Sequence, residues 1–173
     1  MNFVVEIRHC LIVTLITVLG GQTVAAQTKD GKAETIEKSF NRKTTISRWV
    51  NASPMEVWRV LTEAENYPNW NSNIISIAGN IALDQKIKLR TTLDSSRTFT
   101  LKIKEFQPNA LLKWCNSKGI RTFVLKEKNG GTSITMTEKI GGLMYPLYAK
   151  YLPSFNDSFE IFMSDLKKIV ETK

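Results

Sequence analysis

Around Asn129-Gly130 the chain carries two alternating runs, RTFVLKEKNGGTSITMTEKI, and this pair constrains the fold more than any other stretch. Both central positions of a two-residue type I′ turn need φ > 0, and asparagine and glycine adopt it at least cost. That turn sets Leu125 opposite Ile134, Phe123 opposite Met136 and Arg121 opposite Glu138, all on one side of an antiparallel sheet. An apolar ladder therefore ends in a charge pair. Ionised side chains are costly in a sealed interior, so the inward pair reads either as a salt bridge at the sheet rim or as the wall of a cavity that admits water or a ligand.

The neighbouring segments extend the same surface. From Ile74 to Ile140, NIISIAGN, KIKLRTTL, RTFTLKIKEF, LLKWCNS, RTFVLKEK and TSITMTEKI are strand-length and separated by turn signals, which predicts an antiparallel meander. Ile87, Leu89 and Leu93 share one parity with Phe99, Leu101 and Ile103. Lys86, Lys88, Arg90, Lys102 and Lys104 take the other, and Lys113, Lys126 and Lys139 share that outward parity in the later strands. A two-residue turn at Lys118-Gly119 would set Leu112 opposite Leu125, Trp114 opposite Phe123 and Asn116 opposite Arg121.

Before the meander, KTTISRWV alternates as a strand with Ile46, Arg48 and Val50 on one side. Ser53, Pro54 and Glu56 then form a helix-start signature ahead of the stripe Val57, Val60, Leu61, and a second short helical turn holds Tyr67 and Trp70. After the meander, Tyr148, Leu152, Phe155, Phe159, Phe162, Leu166 and Ile169 recur at helical spacing. This predicts a long amphipathic C-terminal helix that Pro153 kinks or restarts after residue 152.

Near the start, Arg8 precedes CLIVTLITVLGGQTVAAQ, an apolar run too short to span a bilayer and ending in small residues. The expectation is a signal peptide over 1–26, cut near Ala26/Gln27, which makes the protein secreted or periplasmic; an uncleaved membrane anchor is the alternative. Cleavage removes one acid, Glu6, and one base, Arg8, so the net charge of +8 survives. It also removes Cys10 and the only histidine, His9, leaving Cys115 without an internal partner. A histidine-free domain excludes Ser-His-Asp and Cys-His nucleophile pairs and His-bearing zinc sites. No cofactor or metal site is expected.

NASPMEVWRVLTEAENYPNWN, FVLKEKNGGTSITMTEKIGG and FEIFMSDLKKIVE resemble the polyketide cyclase/dehydrase branch of the START-like (SRPBCC) superfamily, over about residues 43–171. The resemblance implies an α+β helix-grip fold: a curved antiparallel sheet of about seven strands wrapped around the C-terminal helix, with two short helices after the first strand. It implies a START-like domain over 43–173; before it, the polar segment TKDGKAETIEKS reads as part of a flexible lead-in over 27–42. It also implies a cavity between sheet and helix for a lipid-like or polyketide-like molecule, and it names no catalytic residue.

The candidate ligand-contacting residues are Phe99, Leu101, Leu112, Trp114, Phe123, Leu125, Ile134 and Met136 from the sheet and Tyr148, Phe155, Phe159 and Phe162 from the helix. Arg48, Asn116, Arg121 and Glu138 supply the polar groups. Two functions follow. One is a monomeric extracytoplasmic carrier of an apolar or amphipathic small molecule. The other is a cofactor-independent cyclase, dehydratase or isomerase with Glu138 as base, Arg121 stabilising an enolate and Tyr148 orienting the substrate. The outward lysine face is either a solvated surface or a contact for an anionic membrane; few aromatics interleave it, which argues against nucleic acid.

Overall fold

A computed structural model describes residues 29–172. The signal-peptide reading of residues 1–26 lies outside them. The described chain runs β1 (Glu34–Lys38), β2 (Asn41–Val50), α1 (Pro54–Thr62), a 3-10 turn, α2 (Tyr67–Trp70), β3 (Ile74–Ala78), β4 (Lys86–Thr91), β5 (Asp94–Gln107), β6 (Leu111–Cys115), β7 (Gly119–Lys128), β8 (Gly131–Gly141), α3 (Tyr145–Tyr148), another 3-10 turn and α4 (Asn156–Glu171). The eight strands form one antiparallel sheet in the order β1-β2-β8-β7-β6-β5-β4-β3.

The extra strand corrects the flexible lead-in. Residues of β1 are exposed along their whole length, so ETIEK carries no inward-outward alternation to read. Its main chain pairs with β2 from Glu34–Thr45 to Lys38–Asn41, and the Thr35 and Thr44 hydroxyls hydrogen-bond at 2.8 Å. The helix-start signature forms as expected: Ser53 Oγ accepts from Glu56 N, and Glu56 Oε2 accepts from Ser53 N at 2.8 Å. One face of α1 buries Val57, Trp58, Val60 and Leu61.

The β7–β8 hairpin keeps the expected register, Arg121–Glu138, Phe123–Met136 and Leu125–Ile134, around left-handed Asn129 and Gly130. The β6–β7 register differs. Leu112 faces Phe123 and Trp114 faces Arg121, because the turn centres on Ser117-Lys118. Asn116 decides this: its Oδ1 accepts from the backbone N–H of Lys118 and of Gly119, both at 2.9 Å, which closes the turn one residue early. The partner shifts by two residues, so every side chain keeps its face.

Pro153 stops the helix, and α4 begins at Asn156 after an extended connection. Its 16 residues span about 24 Å. They bury Phe159, Phe162, Met163, Leu166 and Val170 against the sheet, while Ile169, expected on that stripe, is exposed and gives its place to Val170. Phe162 lies 5.7 Å from Phe123 and 5.5 Å from Trp70, ring centre to ring centre. α4 packs chiefly on β2, α1 and α2, and at the far end of β4–β8 the sheet faces residues 148–155 instead.

Candidate functional site

The inner face of the sheet divides where α4 begins. Under the helix, Leu112, Phe123, Leu125, Ile134, Met136, Phe159 and Phe162, expected as ligand contacts, are buried against one another as core, and none of them borders the cleft described next. Burying each contributes roughly 1.5–3 kcal/mol, so this half of the surface is structural.

Beyond the helix start, the sheet curves over an open cleft whose other wall is the connection from Tyr148 to Phe155. Eight of the expected contacts line it: Phe99, Leu101, Trp114, Asn116, Arg121, Glu138, Tyr148 and Phe155. Leu89 and Leu93 add apolar surface from the β4–β5 hairpin, and Ile140 continues the Glu138 parity. Both leucines were visible on the same parity as Phe99 and Leu101. Tyr151, Leu152 and Pro153 were not recognisable as wall, because that depends on the chain staying non-helical until residue 156.

Arg121 and Glu138 form the polar centre. Arg121 Nε donates to Glu138 Oε2 at 2.7 Å and Nη2 donates to the same oxygen. The side chains are 16% and 18% exposed, so the pair is neither sealed nor freely solvated. The guanidinium also lies 5.2 Å from the centre of the Phe159 ring. Among the described residues, Arg121 Nη1 and Glu138 Oε1 have no hydrogen-bond partner, so both residues of the cleft wall keep hydrogen-bonding capacity.

Other charges sit at the entrance. Arg97 pairs with Asp94 at 3.5 Å, and Lys118 Nζ lies 5.2 Å from the centre of the Tyr148 ring. Asn116 reaches the cleft but its carbonyl oxygen is occupied by the β6–β7 turn. Arg48 does not belong to the site. Its guanidinium packs under Gly31, near the other end of α4, with a buried Nε that lacks a partner among the described residues.

The wall itself is pinned. Tyr145 is buried below the exposed α3 residues and its hydroxyl donates to Glu37 Oε1 at 2.6 Å, while Arg42 Nη1 donates to the Pro153 carbonyl at 3.0 Å. The Tyr145 hydrogen bond and the Arg42 charge hold the Glu37 carboxyl below its ordinary range, and burial together with that bond pushes the Tyr145 phenol up. Among the described residues no group of three or more His, Cys, Asp or Glu stands together as a metal site.

No protein-family model matches the chain, and no curated protein sequence matches it significantly. Solved structures do. A conserved protein of unknown function from Enterococcus faecalis superposes with a TM-score of 0.60, at 21% identity, over 82% of this chain and 78% of its own. The Aha1 dimer from Colwellia psychrerythraea gives 0.58 at 18% identity, over 75% and 96%. DynU16, from the dynemicin biosynthetic locus, gives 0.57 at 15% identity, over 75% of this chain and 47% of its own. The likeness establishes the fold: a curved antiparallel sheet holding a C-terminal helix, as in helix-grip proteins.

Proposed function

We propose that this chain is an extracytoplasmic carrier of the START-like superfamily for an amphipathic small molecule held in the cleft between β4–β8 and residues 148–155. The carrying observation is the Arg121–Glu138 pair, largely shielded on an otherwise largely apolar wall, with Arg121 Nη1 and Glu138 Oε1 unpartnered among the described residues. A mostly apolar concavity with a few convergent polar groups suits a ligand that has an apolar body and a hydrogen-bonding end. Native mass spectrometry of protein purified from its own source tests the reading. Co-purified ligand that is lost on Arg121→Leu supports it; an empty protein that also fails a broad lipid screen refutes it. The extracytoplasmic part rests on the sequence of residues 1–26 and is tested separately, by N-terminal sequencing of exported protein, which should begin near Gln27.

A second reading, a cofactor-independent isomerase or cyclase, is favoured by Glu138, Arg121 and Tyr148 lining the same cleft. It requires turnover of the co-purified molecule that Glu138→Gln abolishes while binding persists. Binding without turnover leaves the carrier.

A further inference from the structure

The end of the molecule that carries the cleft mouth exposes apolar side chains that the fold holds outward. Leu143 is 85% exposed, Leu147 66% and Tyr151 74%, with Met144 beside them. Phe40, Ile120 and Leu143 line a shallow groove that meets the cleft at the β6–β7 turn, where Lys118 borders both. These side chains are not a loose loop that failed to collapse. Tyr145 anchors α3 through Glu37, Gly142 N donates to the Phe40 carbonyl at 3.0 Å, and Arg42 holds the Pro153 end, so the apolar groups between them are presented by a fixed backbone.

Charge is distributed to match. Lys118 and Lys139 border the groove, and Lys150 Nζ lies 4.9 Å from the centre of the Tyr151 ring. From Lys139 to Ser154 the sequence contains no carboxylate. Three acids of the surrounding elements are engaged: Asp94 with Arg97, Glu138 with Arg121, and Glu37 with Arg42 and Tyr145. Exposed leucine and tyrosine ringed by unopposed lysine is the composition that binds an acyl–headgroup boundary bearing negative charge.

We propose that this end of the protein docks on an anionic lipid surface, with α3 and its flanks at the acyl boundary and Lys118, Lys139 and Lys150 among the headgroups, so that the cleft opens toward the bilayer. The docking stands apart from the identity, or the existence, of a carried ligand. Hydrogen exchange of the full chain with phosphatidylglycerol-containing vesicles should slow over residues 142–152, and not with purely phosphatidylcholine vesicles. Protection confined to residues 1–28, or to the outward lysines of β4 and β5, would overturn it. Leu143→Ser/Leu147→Ser should weaken partitioning about tenfold or more, and Lys118→Gln/Lys150→Gln by about fivefold per lysine, the latter effect vanishing in high salt. Unchanged partitioning of both variants overturns the proposal, as does a vesicle-free dimer in sedimentation that the leucine variant dissociates, since a second copy would then cover the face. The native thermal midpoint checks that the variants fold. A co-purified ligand that remains while docking fails separates this proposal from the carrier reading.

Discussion

Arg121 on β7 and Glu138 on β8 stand directly opposite across the sheet, and two guanidinium nitrogens converge on one carboxylate oxygen beside the open cleft. Breaking a sealed ion pair costs about 3–5 kcal/mol and an exposed one about 1 kcal/mol or less. This pair, shielded on the sheet side and wetted on the cleft side, should lie between: Glu138→Leu is expected to cost about 1–2 kcal/mol in urea unfolding. A double-mutant cycle with Arg121→Leu should recover a coupling of about 1 kcal/mol. Coupling near zero would mean that the two do not interact in solution.

Filling space should separate the two halves of the inner face. Ile134→Trp overpacks sealed core and is expected to cost about 1–3 kcal/mol or more while ligand retention per folded molecule stays the same. Leu93→Trp, at a half-exposed cleft position, should leave the thermal midpoint nearly unchanged and reduce ligand retention. The reverse pattern would move the pocket under α4.

Two adjacent glycines of the β7–β8 hairpin should respond for different reasons. Gly130 has φ +74° and open space around an added Cβ, so Gly130→Ala pays only backbone strain, about 1 kcal/mol. At Gly131 a Cβ would lie 2.3 Å from the Val50 carbonyl oxygen and 2.8 Å from Trp49 Cζ2, so the alanine must push β8 from β2. Gly131→Ala is expected to be the more damaging substitution by chemical denaturation, at about 2 kcal/mol or more.

Acid should loosen both ends of α4. Glu171 accepts from Asn51 N at 2.7 Å and Lys167 at 2.6 Å, and these bonds, the backbone one first, hold its carboxyl below its ordinary 4.5. Glu160 is lowered likewise by Lys32 and then Ala33 N. A carboxyl with a depressed folded value contributes stability fully above 4.5 and loses it as pH falls through that depressed value. Glu171→Gln should therefore cost about 1–2 kcal/mol at pH 7 and show a shallower decline of thermal midpoint below pH 4.5 than the parent. Parallel declines would remove Glu171 from the acid response.

What the sequence determined by itself was local and periodic. Asn129-Gly130 specified a turn with two positive φ angles, that turn fixed the Arg121–Glu138 pairing, and Ser53-Pro54 with Glu56 specified a helix start, because each depends only on neighbouring atoms. Parity along the strands likewise told inward from outward side chains. Tertiary structure decided which inward residues are core and which are site. Parity cannot tell how far along the sheet a helix reaches: Phe162 of α4 covers Phe123, while the first turn of α4 reaches only the inner edge of the cleft, where Phe159 lies against the Arg121 guanidinium. Two further features escaped for the same reason. β1 is an exposed strand without inward-outward alternation, held by backbone pairing with β2 and by bonds of its Thr35 and Glu37 side chains to distant residues, and the Asn116 side chain closes its turn through contacts that a two-residue template does not contain. The cleft exists because Pro153 delays the last helix until Asn156, leaving a strip of apolar sheet that only the short, pinned segment 148–155 borders.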